Sequence, residues 1–458
     1  MTVFSDAFGQ DILAGSADVL EPWNATMLGF LAHTASTPVH LAEVLKREPD
    51  FALAHALKGL FYVLLGRREM VDLAQEALAT AQSALSRRGA NARERAFVTA
   101  LAAWMDGSPR GTIAAMESIL EAHPEDALAA KISHATRFVL GDSRGMRVSM
   151  ERVLPAYGAD HPARGYILGC YSFSLEETGD FTKAETAGRN GIALAPNDAW
   201  GLHSVAHVYD MTANPRGGLA WLSGREAAWE HCNNFRYHVW WHKALMHLEL
   251  GERDAVLDLY DTRIRHDRTD DYRDIANGTS MLMRLELEGV DVGNRWEELA
   301  DLAETRTDDG CLIFADLHYL LALVGGNRDQ AITGMMARLR RTAAARKGEM
   351  AAVAANPGIA AAAGLEAFGE GDYRSAYLNL ASVRRAMQTI GGSHAQRDVF
   401  ERLTIDAAIR AGCHEEAAAI IADRTEFRGG RPDNYARARL DLIARAAPAA
   451  LSRRSQAL

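Results

Sequence analysis

A helix–turn–helix unit that recurs along the chain is the feature that most limits the fold. Its clearest copy is Ala163–Asp198, with the sequence ARGYILGCYSFSLEETGDFTKAETAGRNGIALAPND. This length fits a helical hairpin in a repeat array of about 34 residues per unit. Gly179 supplies the turn, because glycine adopts positive φ at no steric cost. Pro196 ends the second helix, because proline cannot continue the hydrogen-bond ladder.

Weaker copies of this unit are marked by a glycine or an Asn-Pro pair between two apolar helical segments. These turns are expected at Gly66, Gly141, Asn214, Gly251, Gly326, Gly371 and Gly412. No alternating pattern of apolar residues predicts a strand. A lone hairpin cannot bury its apolar stripe, so neighbouring hairpins must stack into one continuous core. We therefore predict an all-α fold, a right-handed α-solenoid of tetratricopeptide-type repeats whose first helices line the concave side.

We expect one solenoid domain over residues 1–458. Capping helices are predicted in residues 1–47, repeats that include the histidine-rich segment in 48–342, and C-terminal repeats with a cap in 358–458. Hydrophobic residues make up 48% of the chain and charged residues 24%, which is typical of a globular protein with a large core.

The cysteines and the net charge limit the compartment and the partners. Cys170, Cys232, Cys311 and Cys413 show no paired spacing, which favours a reducing cytoplasm over a disulfide framework. No secretory signal or apolar membrane span is predicted. The net charge of -10 argues against a nucleic-acid or anionic-membrane partner. Exposed terminal helices are compatible with a homodimer.

Two pairs of histidines, each four residues apart, lie close together in the sequence. His203 and His207 belong to one predicted helix, and His238 and His242 to the equivalent helix one repeat later, beside Trp241. A spacing of four places each pair on one helix face, and both helices are expected to face the groove. Dense histidine and tryptophan are typical of a ligand pocket, although structural histidines that bond between helices explain the same spacing.

A metal ion is the less favoured interpretation of these pairs. A His-x3-His helix offers two ligands on one face, but HSVAH lacks the glutamate of the zinc-protease motif HExxH. A third ligand would have to come from Asp316 or His318. Only one of these two can be central, because residues two apart on a helix diverge. We expect no metal and no other cofactor.

The segment GGSHAQRDVF is the second dense polar stretch. Ser393 is expected to cap the next helix. His394 and Asp398 then lie four residues apart, where a carboxylate can orient an imidazole, or they are simply an internal pair of a capped helix. Arg397 is placed either to clamp a ligand carboxylate or to pair with Glu401.

Glu177 ends the first helix of the clearest repeat. It is expected either to reach the groove beside His203 or to stay exposed at the helix end. The sequence contains neither the G-x-S-x-G elbow of serine hydrolases nor the phosphate-binding loop G-x-x-x-x-G-K-[ST]. The sequence therefore gives no support to a serine hydrolase, and it excludes ATP hydrolysis through a phosphate-binding loop.

Several longer segments resemble the tetratricopeptide repeat protein 38-like family over nearly the whole chain. They are EPDFALAHALKGLF, FSLEETGDFTKAE, HSVAHVYDM, YHVWWHKALMHLELG, FADLHYLLAL and GGSHAQRDVFERL. The chain departs from the family after the first histidine pair, where Tyr209, Asp210 and Met211 stand in place of the usual Glu-Met. The resemblance implies the repeat fold and a pocket, and no particular reaction.

We predict a binding protein whose concave groove holds a small polar ligand or a peptide in a pocket lined by His, Trp and Asp. The alternative is a cofactor-independent lyase, hydrolase or isomerase that acts on a small metabolite, with His207, His242, His394 and Asp398 as acid and base. The unusual polar residues gather in a few neighbouring repeats, which favours a confined pocket over a long peptide track. We expect His203, His207, His242 and His394 to converge on one cavity.

Overall fold

Paired helices make up almost all of the protein. The computed structural model describes the backbone of residues 1–456 and the side chains of residues 1–446. Its α-helices are α1 Leu20–Leu31, α2 Thr37–Arg47, α3 Ala52–Leu64, α4 Arg68–Arg88, α5 Ala92–Met105, α6 Pro109–Ala122, α7 Ala127–Val139, α8 Ser143–Val153, α9 Arg164–Glu176, α10 Phe181–Leu194, α11 Ala199–Met211, α12 Pro215–Leu222, α13 Phe235–Glu249, α14 Arg253–Leu259, α15 Tyr272–Leu287, α16 Arg295–Glu304, α17 Ile313–Gly325, α18 Asp329–Ala345, α19 Glu349–Val353, α20 Ile359–Gly369, α21 Tyr373–Val383, α22 His394–Arg410, α23 His414–Phe427 and α24 Asn434–Gln456. Shorter 3-10 or π turns are Ala17–Val19, Leu154–Ala156, Glu226–Ala228, Tyr260–Ile264, Ala354–Gly358 and Arg384–Ile390.

The predicted hairpin turns are found where the sequence places them, and the all-α solenoid is confirmed. Gly179 has φ +83° in the turn between α9 and α10, and Pro215 begins α12 directly after the predicted Asn214 turn. Two further hairpins, α5 with α6 and α15 with α16, are not in the predicted set. The second of them is joined by a longer connection, residues 288–294, which departs from the spacing of the other repeats.

A short β-hairpin precedes the helices, and it corrects the expectation that the chain contains no strands. Strand β1, Thr2–Ser5, pairs antiparallel with β2, Asp11–Ala14. The carboxylate of Asp6 organises the turn, because it accepts hydrogen bonds from the N–H groups of Phe8 (2.9 Å) and Gln10 (3.0 Å). Residues 1–47 are therefore a β-hairpin followed by α1 and α2.

The superhelix closes on itself, so that early repeats contact late ones. The Ser108 hydroxyl donates to Glu349 at 2.9 Å across 241 positions of sequence. The Arg306 guanidinium donates to Glu69 at 2.8 Å, and the Gln388 amide donates to the carbonyl of Gly141 at 3.0 Å. We call this set of contacts the seam. An open repeat array has only neighbour contacts, and this chain adds long-range ones.

Helix α22 fills part of the hollow side of the curve. It packs against α11, α15 and α21. The guanidinium of Arg284 in α15 donates to the carbonyl of Ala395 at 2.6 Å, and the rings of His318 and Phe400 lie 5.0 Å apart. The space that α22 leaves unfilled is an interior cavity between the first and the central repeats.

One helical stretch of the described residues is long and apolar enough to cross a membrane by length and composition alone. It is Glu349–Gly369, with a mean hydropathy of 1.2, and 56% of it is buried inside the fold. The backbone leaves helical geometry at Asn356, with φ −151° and ψ 114°. The stretch is therefore two helical pieces that pack within the fold, although the sequence analysis predicted no such stretch.

Candidate ligand cavity and histidine cluster

Four buried imidazoles from two neighbouring helices meet in the interior. The rings of His203 and His207 on α11 lie 4.7 Å apart, and so do those of His238 and His242 on α13. Across the helices, His207 and His242 are 4.3 Å apart, and His203 and His238 are 5.2 Å apart. One nitrogen from each ring lies within 4.8 Å of one nitrogen from every other ring. We call these four residues the histidine cluster.

Two rings of the histidine cluster are held by hydrogen-bond acceptors at Nδ1, and a third lies near a carboxylate. His203 Nδ1 donates to the carbonyl of Trp200 at 2.9 Å. His238 Nδ1 donates to Asn277 Oδ1 at 2.9 Å. His207 Nδ1 lies 3.5 Å from a carboxylate oxygen of Glu176. The first two contacts place the proton on Nδ1, so Nε2 of His203 and of His238 carries the lone pair. The His207 separation is too long for a hydrogen bond, and His207 Nδ1 has no partner among the described residues.

Burial keeps the rings of His203, His238 and His242 neutral. It lowers the pKa of His203 and of His242 well below the ordinary value, and the neighbouring imidazoles act in the same direction. Burial also lowers the pKa of His238 to about 3. A charged form of these three rings would lose its hydration, and the carbonyl and amide oxygens beside His203 and His238 carry no full charge that would replace it.

His394 is linked to the cluster through a carboxylate. Its Nε2 lies 3.1 Å from Glu176 Oε1, and its backbone N–H donates to Glu177 Oε1 at 2.8 Å. Burial alone would raise the pKa of Glu176, but the charges of His394 and His207 outweigh it and lower the pKa to about 2. Burial likewise lowers the pKa of His394, and Glu177 and Glu176 reverse this to a net rise. His394 and Glu176 are thus an ion pair.

The predicted pairing of His394 with Asp398 is wrong. The Asp398 carboxylate instead accepts hydrogen bonds from Arg424 at 2.6 Å and Arg402 at 2.8 Å. Both arginines reach it from inside the fold, and a guanidinium offers a carboxylate more donors than an imidazole does. Asp398 therefore belongs to a buried arginine network and does not face the cavity.

The other predicted site residues lie away from the cavity. Asp316 forms a bidentate pair with Arg338, at 2.7 and 2.8 Å. His318 donates from Nδ1 to the carbonyl of Phe314 at 2.7 Å, so neither Asp316 nor His318 joins the cluster. Trp241 stacks on the His238 ring at 5.2 Å, behind the cluster.

The last two predicted site residues, Arg397 and Glu177, contact each other. Arg397 lies 3.4 Å from Glu177, whereas the alternative partner Glu401 pairs with Arg384 at 2.7 Å. Glu177 is buried, with 5% of its surface exposed, so it is not a free acid at a helix end. Both side chains secure the start of α22 rather than reach a ligand.

The interior cavity has a volume of about 530 Å³ and lies beside the cluster. Of the ten predicted ligand-binding residues, His203 and His238 line it. Its walls are mostly aromatic and aliphatic, with a few polar side chains among them. The aromatic residues are Phe30, Phe61, Tyr62, Phe138, Trp200, Phe235, Tyr272 and Phe314, and the further polar ones include His33, Lys131, His134, Arg273, Ser393 and Gln396.

One end of the cavity gathers polar groups that the sequence analysis did not find. Lys131 Nζ lies 4.9 Å from the centre of the Trp200 ring and 3.8 Å from Cys170 Sγ. It pairs with no carboxylate among the side chains that the structure describes. Within the same described set, both ring nitrogens of His134 and Nε2 of His33 are buried without hydrogen-bond partners. Lys131 and His134 are three residues apart on α7, a spacing that places them on one helix face. His33 comes from the first repeats, so no local spacing indicates that it joins them.

Asp198 caps helix α11, which carries half of the histidine cluster. Its carboxylate accepts the Gly201 N–H at 3.1 Å, and burial raises its pKa to about 7. Between the ordinary pKa of 3.8 and 7, the unfolded chain has released this proton and the native protein still holds it, so native stability falls as pH rises. Asp198→Asn keeps a capping side chain without a charge.

We therefore expect Asp198→Asn to gain about 2 kcal/mol of stability relative to the wild type when the pH rises from 5 to 7. Urea unfolding at the two pH values measures the difference. Asp372→Asn, at the exposed cap of α21, is the control. The hydrogen bonds from Ser375 hold the pKa of Asp372 below the ordinary value, so it is ionised in both states from pH 5 to 7 and the variant should show no such gain. Equal changes in both variants would contradict a raised pKa at Asp198.

No protein-family profile matches the chain. Two solved structures of human IFIT1, described as dimers with m7Gppp-AAAA and with PPP-AAAA, are similar over 95% of this chain and 96% of theirs, at 13% identity and TM-scores of 0.43 and 0.41. A structure of Naa15/Naa10 bound to HypK-THB matches over 90% of this chain and 64% of that chain, at 12% identity and a TM-score of 0.26. Identities and TM-scores this low assign no activity to this chain. The repeat fold is established by the arrangement of the chain's own helices.

The prediction that nucleic acid is not a partner is wrong, because the net charge alone does not exclude one. The two IFIT1 structures are described with the oligonucleotides m7Gppp-AAAA and PPP-AAAA. Net charge averages over the whole surface, whereas a chain of net charge -10 still places Lys131 and Arg273 in one interior cavity. The exclusion is withdrawn, and the similarity assigns no nucleic acid to this chain.

Proposed function

We propose that the protein binds a small amphipathic molecule, with an apolar body and one anionic group, in its interior cavity. The observation that carries this proposal is the unpaired ammonium of Lys131 in the aromatic cavity wall. A volume of about 530 Å³ falls in the range of small-molecule sites, about 300–1,000 Å³. Large aromatic walls with few polar groups favour an apolar body over the polar ligand expected from the histidines alone.

The anionic group is proposed from the charges in the cavity. Arg273 already pairs with Asp271, at 2.6 and 2.8 Å. Lys131 contacts the Trp200 ring and a thiol. Burial raises the pKa of the Asp198 carboxyl and the charge of Lys131 acts to lower it, but the two form no ion pair. A buried cation without a paired counter-ion is costly. A carboxylate or sulfonate on the ligand would supply that counter-ion. His33 and His134 would then donate or accept the hydrogen bonds that they lack in the protein.

A fluorescent anion tests this proposal directly. We expect 1-anilinonaphthalene-8-sulfonate to bind the native protein with enhanced fluorescence. Lys131→Met should weaken this binding about 10-fold, which corresponds to about 1.4 kcal/mol. The uncharged relative N-phenyl-1-naphthylamine should bind both proteins equally, because it lacks the group that Lys131 would contact.

Lys243→Met is the matched control for this experiment. Lys243 Nζ also lies 4.9 Å from a tryptophan ring, that of Trp240, but it pairs with Glu226 at 3.6 Å and does not line the cavity. This variant should bind the sulfonate as the wild type does. Equal loss in both lysine variants, or no binding by the wild type with an intact near-UV circular dichroism spectrum, would argue against the proposal.

Binding is favoured over the alternative of an acid–base enzyme by the pKa values at the cavity. General acid–base catalysis works best with a pKa near the operating pH. Burial lowers the pKa of His238 to about 3 and that of His203 well below its ordinary value, and these are the cluster members that line the cavity. His394 and Asp398, the other proposed acid and base, are engaged in ion pairs away from it.

Membership of the tetratricopeptide repeat protein 38-like family is likewise a proposal. It is supported by the segments HSVAHVYDM and YHVWWHKALMHLELG, which contain all four residues of the histidine cluster. A cytoplasmic location is proposed on the same footing. Its support is the four cysteines, which are free thiols in the structure and suit a reducing compartment.

A further inference from the structure

The histidine cluster has the donor set of a metal site. Two His-x3-His pairs, on α11 and α13, bring four imidazoles together so that one nitrogen of each lies within 4.8 Å of the others. In a tetrahedral zinc site with Zn–N bonds of about 2.0–2.1 Å, the ligand nitrogens are about 3.3–3.4 Å apart. His238 Nε2 and His242 Nε2 are already 3.1 Å apart. Small side-chain rotations would complete such a geometry.

The groups around the cluster orient its rings as they do in metal sites. A metal-binding histidine usually donates its other N–H to a carboxylate, an amide or a backbone carbonyl, which fixes the ring and its tautomer. His203 has the Trp200 carbonyl in this role and His238 has Asn277. His207 Nδ1 lies 3.5 Å from the Glu176 carboxylate, which a small rotation of the ring would bring into hydrogen-bond range. The nitrogens of the four rings that lie within 4.8 Å of one another are thus the ones that a shared ion would bring together.

Several buried nitrogens of the cluster lack hydrogen-bond partners. Both ring nitrogens of His207 and Nδ1 of His242 make no hydrogen bond within the part of the chain that the structure describes. Buried polar atoms nearly always have a hydrogen-bond partner. Ring nitrogens without one, in four imidazoles that pack together, therefore need an explanation. A bound cation would accept the free lone pairs, and the carboxylate of Glu176 would offset part of its charge.

We propose that the histidine cluster binds one divalent transition-metal ion of the zinc class through His203, His207, His238 and His242. The donor set consists of nitrogen atoms, which suits zinc, cobalt, nickel or copper and does not suit magnesium or calcium. His203 and His238 also line the cavity, so the ion would sit in its wall. This proposal replaces the sequence-based expectation of no metal, and it stands independently of the proposed anionic ligand.

The test uses the untagged full-length chain, freed of metal with a chelator. We expect it to take up one equivalent of Co²⁺ with the visible absorption of a tetrahedral site, and Zn²⁺ should displace the Co²⁺ at one equivalent. His242→Gln should lower the Co²⁺ affinity at least 100-fold. Glu176→Gln keeps all four rings and should lower the affinity about 10-fold, since loss of an outer-shell partner typically costs 10–100-fold.

His318→Gln is the matched control for the cluster variants. His318 is as buried as His203, with 1% of its surface exposed, and it also donates from Nδ1 to a backbone carbonyl, but it lies outside the cluster. It should bind Co²⁺ as the wild type does, with the same far-UV circular dichroism. The proposal is overturned if the metal-free wild type takes up no Co²⁺ or Zn²⁺, or if His242→Gln and His318→Gln bind equally.

If His242→Gln fails to fold, the Co²⁺ affinities of the wild type and of Glu176→Gln still test whether the cluster binds a metal ion. Metal uptake by the wild type with an unchanged Glu176→Gln affinity would count against the outer-shell arrangement described here. Because the metal assay does not use an anionic probe, its failure would leave the result of the Lys131 experiment untouched. The two proposals can therefore fail separately.

Discussion

Asp398→Asn should lower the free energy of unfolding by about 3–5 kcal/mol, the usual cost of removing one partner from a buried ion pair. Asp398 accepts hydrogen bonds from Arg424 and Arg402, at 2.6 and 2.8 Å, and Arg284 lies 3.9 Å away. Burial would raise its pKa, but the arginines outweigh burial and hold the pKa well below the ordinary value. The amide would remove the carboxylate that Arg424 and Arg402 share, leaving Arg424 with Asp433 at 2.7 Å and Arg402 with Glu288 at 3.8 Å.

Urea unfolding followed by circular dichroism measures this loss. Asp423→Asn is the control, because Asp423 also pairs with an arginine, Arg384 at 2.8 Å, but its side chain is 61% exposed. An exposed ion pair contributes about 0–1 kcal/mol, so this variant should be close to the wild type. A loss at Asp398 no larger than that of the control would mean that the arginine network does not depend on its central carboxylate.

Gly391→Ala should open the seam and destabilise the protein by more than about 3 kcal/mol. Gly391 has φ +91°, where a side chain is strained by about 1–3 kcal/mol, and an added Cβ would lie 2.1 Å from the carbonyl oxygen of Val139. That oxygen belongs to the backbone and cannot rotate away. The residues near Gln388 would therefore have to move away from α7.

Limited proteolysis and thermal unfolding report on this change. Gly412→Ala is the matched control: Gly412 has φ +77°, but an added Cβ there would meet nothing within 4 Å. It should show only the backbone cost of positive φ, about 1–2 kcal/mol. If both glycine variants unfold and are cleaved alike, the contact between residues 139–141 and 388–391 does not hold the seam closed.

The repeat fold was predictable because local sequence patterns determine it. A glycine turn between two apolar helices, as at Gly179, depends on neighbours in sequence alone. The same holds for the cluster, since a spacing of four fixes one helix face for His203 with His207 and for His238 with His242. The stacking of equivalent helices from adjacent repeats then brought the two pairs together.

The other contacts at the site could not be predicted from the sequence, because tertiary structure decides which side chains meet there. The local spacing of His394 and Asp398 permits their pairing, yet Glu176 reaches the imidazole and Arg424 reaches the carboxylate from other helices. Lys131 lies near the cavity because α7 closes against later repeats. Its sequence neighbours show an ordinary helical repeat and give no sign of a ligand site.

Closure of the superhelix also fixes how many hairpins the chain can contain. An open array tolerates the gain or loss of one unit, because each unit touches only its neighbours. Here one extra hairpin would carry Glu349 away from Ser108 and Gln388 away from Gly141, which now bond across 241 and 247 positions. Duplication of a repeat, the usual way in which such proteins lengthen, is therefore barred to this one, and its variation must come from substitutions within a constant number of units.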